Sequence, residues 1–272
     1  MNTDIRPFTI GDCEPLVNAL KRLNSVHSRA MTLFAVDEHN RMNGTLTDGD
    51  IRRGLIAGRG LDSAIGEIMH RDFAFLTRPI DVQRIKELRS HSISLIPILD
   101  SDRHIVDIVD LTKNRSALPV DAVLMAGGKG ERLRPLTLST PKPLLEIGGR
   151  AIIDRNIDSL VDYGVRRISV TVNYLAEQII KHYAEPLAGG VKVDCILEER
   201  FFGTIGALRM VREFENDTIL VMNSDLLTNI DYEDFYLHFR RNGAMMSAAA
   251  IPYTISVPYG IFDLDGNHIT GV

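Results

Sequence analysis

Val120-Asp121-Ala122-Val123-Leu124-Met125-Ala126 runs straight into Gly127-Gly128-Lys129-Gly130-Glu131-Arg132, and Pro141-Lys142-Pro143 follows shortly after. A short apolar run closed by glycines reads as a buried parallel strand ending in a tight turn. Glycines at the carboxyl end of a first strand let the backbone approach phosphate groups, while lysine and arginine offset their charge. The stretch therefore predicts an α/β domain with a polyphosphate site at the end of its first strand. Two other phosphate loops are excluded. A Walker loop needs Ser or Thr after Gly-Lys, and Lys129 is followed by Gly130. A dinucleotide fingerprint starting at Gly128 needs a third glycine where Leu133 stands.

The charge distribution agrees with an anionic small-molecule ligand. The 272 residues carry a net charge of −5, which argues against a nucleic-acid partner. Residues 1–119 are balanced at 16 basic and 16 acidic side chains, and the remaining 15 basic and 20 acidic ones lie beyond. Within that acidic half, Lys129, Arg132, Arg134 and Lys142 form a local positive stretch interrupted only by Glu131. No apolar run of membrane-spanning length and no secretory leader is visible, so a cytoplasmic protein with no membrane partner is expected. Cys13 and Cys195 are too few and too far apart for a disulfide framework or a zinc site, and are expected as small buried hydrophobes.

Upstream, the chain repeats itself. Leu33–Asp50 and Ile96–Lys113 align without a gap at a constant offset of 63 residues, each reading as strand, polar turn, strand and short helix. An amphipathic helix precedes each copy, at Pro15–Asn24 and Val82–Ser90. Leu118-Pro119 ends a linker, which predicts a division into residues 1–117 and 118–272.

The repeat resembles the cystathionine-β-synthase-type (CBS) domain, a module that occurs as tandem pairs and commonly binds adenine nucleotides. On that resemblance Gly44, Thr47 and Asp50 form a regulatory site, with Asp50 accepting ribose hydroxyls and Thr47 donating to phosphate. The second copy has Asp107, Asp110 and Lys113 there, so at most one such site is expected. Read from the residues alone, Thr47 caps a short helix whose first turn holds Asp48 and Asp50. Tandem CBS modules also imply a homo-oligomer.

Residues 127–143 match every fixed position of GGxGxRLxPLTxxxPKP, the motif of the sugar-1-phosphate nucleotidyltransferases. The likeness continues through Asn173-Tyr174, through Glu198-Glu199 and Gly203-Thr204-Ile205-Gly206, and into Asn223-Ser224-Asp225, where Ser224 replaces a usual glycine. Thr204 fits a plain helix cap equally well. The resemblance implies a Rossmann-like three-layer α/β domain with a mixed, mostly parallel sheet, C-terminally truncated, behind the CBS pair. It implies that a sugar 1-phosphate attacks the α-phosphorus of a nucleoside triphosphate and that pyrophosphate leaves.

By the same resemblance, Arg132 holds the departing pyrophosphate, Lys142 the α-phosphate or sugar phosphate, and Asp225 a Mg²⁺ ion. Ala126, Gly127, Gly128, Gly130, Glu198, Glu199, Gly203 and Thr204 line the nucleotide. A phosphate monoester is largely ionised at neutral pH, so no general base is needed. A carboxylate at 198 or 199 accepts the paired donors of guanine, which favours GTP over uridylyl or thymidylyl transfer. The family's later Glu-x-Lys-Pro-like sugar segment and second metal-binding aspartate are not in the sequence, so triphosphate binding with little turnover is expected. A non-catalytic nucleotide sensor is the alternative reading.

Overall fold

The computed structural model describes residues 4–26, 30–187, 190–200, 202–203, 205–255, 260 and 262–271. It divides into two compact units, Met1–Leu237 and His238–Val272. The boundary expected at 117/118 falls inside the first of them.

The first copy of the repeat comprises β1 (Thr9–Gly11), α1 (Leu16–Ser25), β2 (Thr32–Val36), β3 (Met42–Thr47) and α2 (Asp48–Ile56). β1 lies parallel and β3 antiparallel to β2. The second copy comprises α3 (Val82–Ser90), β4 (Leu95–Leu99) and β5 (Ile105–Asp110), the two strands antiparallel. Leu76 forms a parallel bridge to Ile98 in the manner of β1 against β2.

The offset of 63 persists down to single hydrogen bonds. Asp37 accepts from the amides of His39 and Arg41, and Asp100 from those of Asp102 and His104. The ladder bulges between Ala35 and Val36 in one copy and between Ile98 and Leu99 in the other. The copies meet where equivalent positions face each other, in the antiparallel bridge between Arg41 and His104. Each helix buries one stripe: Leu16, Ala19 and Leu23 on α1, and Val82, Ile85 and Leu88 on α3. Asp81 caps α3 by accepting from the Arg84 amide.

The second half contains β6 (Asp121–Ala126), α4 (Ile152–Asp162), β7 (Arg167–Val172), α5 (Ala176–His182), β8 (Val193–Leu197), β9 (Ile219–Asn223) and α6 (Tyr232–Asn242). Its sheet has the order β8-β7-β6-β9, and all four described strands are parallel, without the antiparallel member that a mixed sheet would add. Ala122, Leu124 and Ala126 of β6, Ile168, Val170 and Val172 of β7, and Met222 of β9 share one face. They pack with Ile153, Ile157 and Leu160 of α4, Ile179 of α5 and Leu237 of α6. Val82 of α3 joins the same core, whereas Ile85 and Leu88 belong to the core of the second repeat. α3 is thus shared by both halves.

The unit His238–Val272 holds the last residues of α6 and the hairpin β10 (Asp263–Asp265) and β11 (His268–Gly271), turning at Gly266, where Asp265-Gly266-Asn267 reads in the sequence as a hairpin turn. No helix among the described residues is long and apolar enough to cross a membrane. Cys13 is exposed, contrary to the expectation of burial, because it lies in the polar turn between β1 and α1. Cys195 is half-buried, and burial pushes its thiol up to about 11.

Candidate functional site

The strand order reverses between β6 and β9. The chain leaves β6 toward β7 and β8, and returns to the opposite side of β6 as β9. In an open parallel sheet such a reversal leaves a crevice beyond the carboxyl ends of the strands that flank it, here β6 and β9. The register pairs Met125 with Asn223, so the glycine turn after β6 and the carboxylate after β9 emerge side by side.

That placement is pinned by buried polar groups. The Ser224 amide donates to the Met125 carbonyl at 3.2 Å and the Ser224 hydroxyl donates to the same oxygen at 2.7 Å. The Ser224 carbonyl accepts from Asn156 Nδ2 of α4 at 3.1 Å, and Asn156 is only 4% exposed. Neither interaction was predicted. The available signal for Asn156 was a polar side chain on the apolar stripe of α4, between Ile153 and Ile157.

The glycine turn folds back on the segment that follows it. Gly130 has φ +61°, and a Cβ there would lie 2.9 Å from Thr137 Cγ2 and 3.1 Å from Lys142 Cβ. Thr137 donates its hydroxyl to the Gly130 carbonyl at 2.9 Å, and Tyr174 donates to the Thr137 carbonyl at 3.0 Å. Lys142 sits in a 3₁₀ turn (Lys142–Leu144) between Pro141 and Pro143, which aims its side chain across the crevice. Its ammonium meets the carboxylate of Asp225 in direct contact. Lys129 and Arg132 are exposed on the open side, and neither has an ion-pair partner among the described residues. Arg134, by contrast, is held by Glu131 at 3.4 Å.

The third wall comes from β7 and β8. Glu198 follows β8, is 3% exposed, and accepts the Phe202 amide on Oε2 at 3.4 Å. Its other oxygen faces the turn, since a Cβ on Gly127 would lie 3.0 Å from Oε1. Asn173, at the end of β7, donates to the Glu198 carbonyl at 2.8 Å. Glu198 and Glu199 therefore differ: Glu198 is buried against the turn and Glu199 is exposed. Gly203 is half-buried with φ +80°, and Thr204 lies outside the described residues. Contacts thus link the glycine turn to Glu198 at Gly127 and to Lys142 at Gly130, and Lys142 to Asp225, while Gly128 and Arg132 are exposed.

Mg²⁺ prefers hard oxygen donors, keeps several waters, and is commonly held by one or two carboxylates together with substrate phosphates. Asp225 fits that role. It offers a half-buried carboxylate at a position already neutralised by a cation, and no cluster of three or more acidic, His or Cys side chains competes among the described residues.

In the first half, Thr47 and Asp50 close on each other. Thr47 Oγ1 accepts the Asp50 amide at 3.2 Å, while Asp50 Oδ2 accepts the Thr47 amide and hydroxyl at 2.8 and 2.6 Å. This is a capping box at the start of α2. Arg53 takes the remaining oxygen at 2.6 Å. Burial opposes the Asp50 charge, but the Thr47 and Arg53 hydrogen bonds outweigh it and hold the carboxyl below its ordinary pKa. Gly44 lies where a Cβ would strike Met69 Sδ at 2.6 Å and the His70 carbonyl at 3.2 Å. All three residues proposed for a regulatory site thus also have a structural role. A cleft of about 380 Å³ opens elsewhere, at the junction of the two halves, lined by residues including Arg89, Lys113, Arg115, Tyr163 and Glu233.

Comparison with known proteins agrees with this geometry for the second half. Residues 121–271, more than half of the chain, match the family described as Nucleotidyl transferase. The chain is 30% identical over 150 residues to mannose-1-phosphate guanylyltransferase catalytic subunit beta of Danio rerio, covering 54% of this chain and 42% of that protein. It is 36% identical over 126 residues to the Dictyostelium discoideum protein of the same name (45% and 35%). It is 33% identical over 145 residues to mannose-1-phosphate guanyltransferase of Candida albicans (51% and 40%). The matched stretch spans less than half the length of these curated relatives. Among solved structures, the chain is similar to the CBS domains of a transcriptional regulator from Streptococcus pneumoniae, with TM-score 0.35, 11% identity and coverage of 40% and 88%. It is also similar to OpuCA of Staphylococcus aureus, with TM-score 0.33, 20% identity and coverage of 39% and 86%. At these scores the fold of the first half rests on its own repeat.

Proposed function

Since the chain belongs to the nucleotidyl transferase family, we propose that it serves transfer of a nucleoside monophosphate from GTP to a sugar 1-phosphate, yielding a GDP-sugar and pyrophosphate. The observation that carries this reading is the convergence of the glycine turn, Lys142 and Asp225 on one crevice at the switch point of the sheet. The named relatives, all mannose-1-phosphate guanylyltransferases, support GTP and a hexose 1-phosphate as the substrate pair.

In this reaction an oxygen of the sugar phosphate forms a bond to the α-phosphorus, and the bond from that phosphorus to the bridging oxygen of pyrophosphate breaks. The nucleophile is ionised before it arrives, so the barrier is repulsion between anions, met by fixed countercharge and alignment. The Gly127–Gly130 backbone receives the triphosphate. Arg132, exposed and without an ion-pair partner among the described residues, would lie over the departing pyrophosphate. Lys142 steadies the reacting phosphate, and Glu198 presents its turn-facing oxygen toward the base. Asp225 would hold Mg²⁺, which when bound draws charge from the phosphate oxygens.

Titration with GTP, UTP and dTTP in the presence of Mg²⁺ tests the base, with GTP expected to bind at least tenfold more tightly. Equal affinity for all three would remove the role given to Glu198. Pyrophosphate release from GTP with a panel of sugar 1-phosphates tests the reaction. Its absence with every sugar, both in this chain and in one that includes the sugar-binding segment, together with tight GTP binding, would leave a nucleotide sensor instead.

We further propose that residues 1–117 act as a regulatory CBS pair for the transferase of residues 118–272 in a cytoplasmic protein, taking an adenine nucleotide near Gly44, Thr47 and Asp50. Binding there would require the Thr47–Asp50 capping box to open. A titration with ATP and AMP giving neither heat nor thermal shift would end that part of the proposal.

A further inference from the structure

Asp225 and Lys142 have been given separate duties, one toward a divalent cation and one toward phosphate, yet they are in contact. Lys142 Nζ touches Asp225 Oδ2, and both side chains are about one third exposed or less, at 33% and 28%. The backbone around Lys142 is fixed by Pro141 and Pro143 and by the close approach of its Cβ to Gly130, so the flexible part is the four-carbon stem. No cluster of three potential metal-ligating side chains exists among the described residues, and the ammonium sits on the carboxylate read as the metal ligand.

We propose that Lys142 is a placeholder cation: it neutralises Asp225 while the crevice holds no nucleotide, and yields that carboxylate when a divalent ion enters with the triphosphate. The inference rests on reading Asp225 as the metal carboxylate. Two consequences follow from charge alone. A divalent ion arriving by itself must displace an ammonium that then has no partner, so metal binding without nucleotide is weak. When the ion arrives with the triphosphate, the released ammonium lies beside phosphate oxygens and gains a new partner, so metal and nucleotide bind cooperatively, with Lys142 as the coupling element. The same motion delivers Lys142 to the reacting phosphate only when the metal site is filled.

Mn²⁺ binding followed by electron paramagnetic resonance tests this without any assay of turnover. It is measured for the wild-type chain, Lys142→Met, Lys142→Arg and Asp225→Asn, each with and without GTP. Without GTP, Lys142→Met is expected to bind Mn²⁺ at least tenfold more tightly than wild type, while Lys142→Arg stays within about twofold of it. With GTP that advantage is expected to vanish or reverse, since the methionine offers the phosphates nothing. If Lys142→Met binds Mn²⁺ no better than wild type without GTP, the placeholder role is wrong even where Asp225→Asn abolishes binding. If Asp225→Asn keeps wild-type Mn²⁺ affinity with GTP present, the metal assignment itself fails. Thermal unfolding of each variant identifies a loss due to misfolding, and Lys142→Gln, which also removes the charge, carries the comparison if Lys142→Met does not fold.

Discussion

Arg89 of α3 grips Glu233 of α6 with two prongs, Nη2 to Oε1 at 2.5 Å and Nη1 to Oε2 at 3.2 Å, although the two residues lie 144 positions apart. Glu233 is 2% exposed, and Lys86 pairs with the neighbouring Asp234 at 2.6 Å. Around this clamp the linker amide of Arg115 donates to the Asp162 carbonyl at 2.5 Å, and the Arg115 guanidinium lies over the Tyr163 ring. Because Val82 belongs to the transferase core and Ile85 to the repeat core, the two halves share one helix and, beside it, an ion pair whose carboxylate is buried. α6 follows directly on the segment that starts at Asp225, so the clamp also anchors the far end of the loop carrying that carboxylate.

Removing Arg89 should therefore cost more than a surface ion pair. Arg89→Ala leaves the Glu233 carboxylate buried without its partner, and a loss of about 2–4 kcal/mol is expected in denaturant unfolding. The double variant Arg89→Ala, Glu233→Ala should recover part of that loss, since no stranded charge remains. Additive losses would mean that the two side chains act independently.

The glycine turn should tolerate no side chain at two positions. Gly130→Ala forces a left-handed backbone onto alanine and pushes a methyl into Thr137, and Gly127→Ala presses on Glu198 Oε1. Both should weaken GTP binding by at least tenfold. Gly128→Ala should leave the turn itself undisturbed, because a Cβ there meets nothing within 4 Å in the protein. Calorimetric titration of the three variants checks the order, and a Gly128→Ala defect as large as the others would point to close approach of the ligand itself.

Two charges should matter to the reaction beyond binding. In an enzyme that includes the sugar-binding segment, Arg132→Ala and Asp225→Ala are each expected to lower the rate of pyrophosphate release by about 10²–10³-fold, the usual consequence of removing one preorganised electrostatic group. Arg132 lacks an ion-pair partner among the described residues, so its removal should leave the melting temperature near wild type. A large stability loss with unchanged rate would contradict the role given to it.

The capping box of the first repeat should show itself in acid. Thr47→Ala is expected to cost about 1 kcal/mol at neutral pH through the lost helix cap. The Asp50 carboxyl is held below its ordinary pKa, so its stabilising effect is fully present above about pH 4 and disappears as pH falls through the lower folded value. Urea unfolding of wild type and Asp50→Asn across pH 7 to 2 should give curves that converge only at the acid end. A gap that stayed constant throughout would show that Asp50 stabilises by packing and not by charge.

Much of this protein was legible before folding because the signals are local. The strand ending in Gly127 and Gly128, the repeat at an offset of 63, the caps and stripes of the helices and the hairpin at Gly266 each depend on backbone sterics and periodicity over a few residues. The local signal at Thr47 and Asp50 was ambiguous between a cap and a ligand site, and only atomic geometry revealed the closed box. Cys13 was misjudged because composition says nothing about which turn faces solvent.

What the tertiary structure decided was proximity between distant segments. Lys142 and Asp225 are 83 positions apart, and Asn156 and Ser224 are 68 apart. Glu198 reaches Gly127 only because β7 and β8 stack beside β6 in that order. No local rule separates Glu198 from Glu199, or assigns Val82 to a core whose other members begin at Leu118, since strand order and packing emerge from burial of the whole chain. The sequence named the chemical groups through their spacing along the backbone. Closing the sheet placed them around one crevice, because hydrogen-bonded register fixes neighbours that lie far apart along the chain.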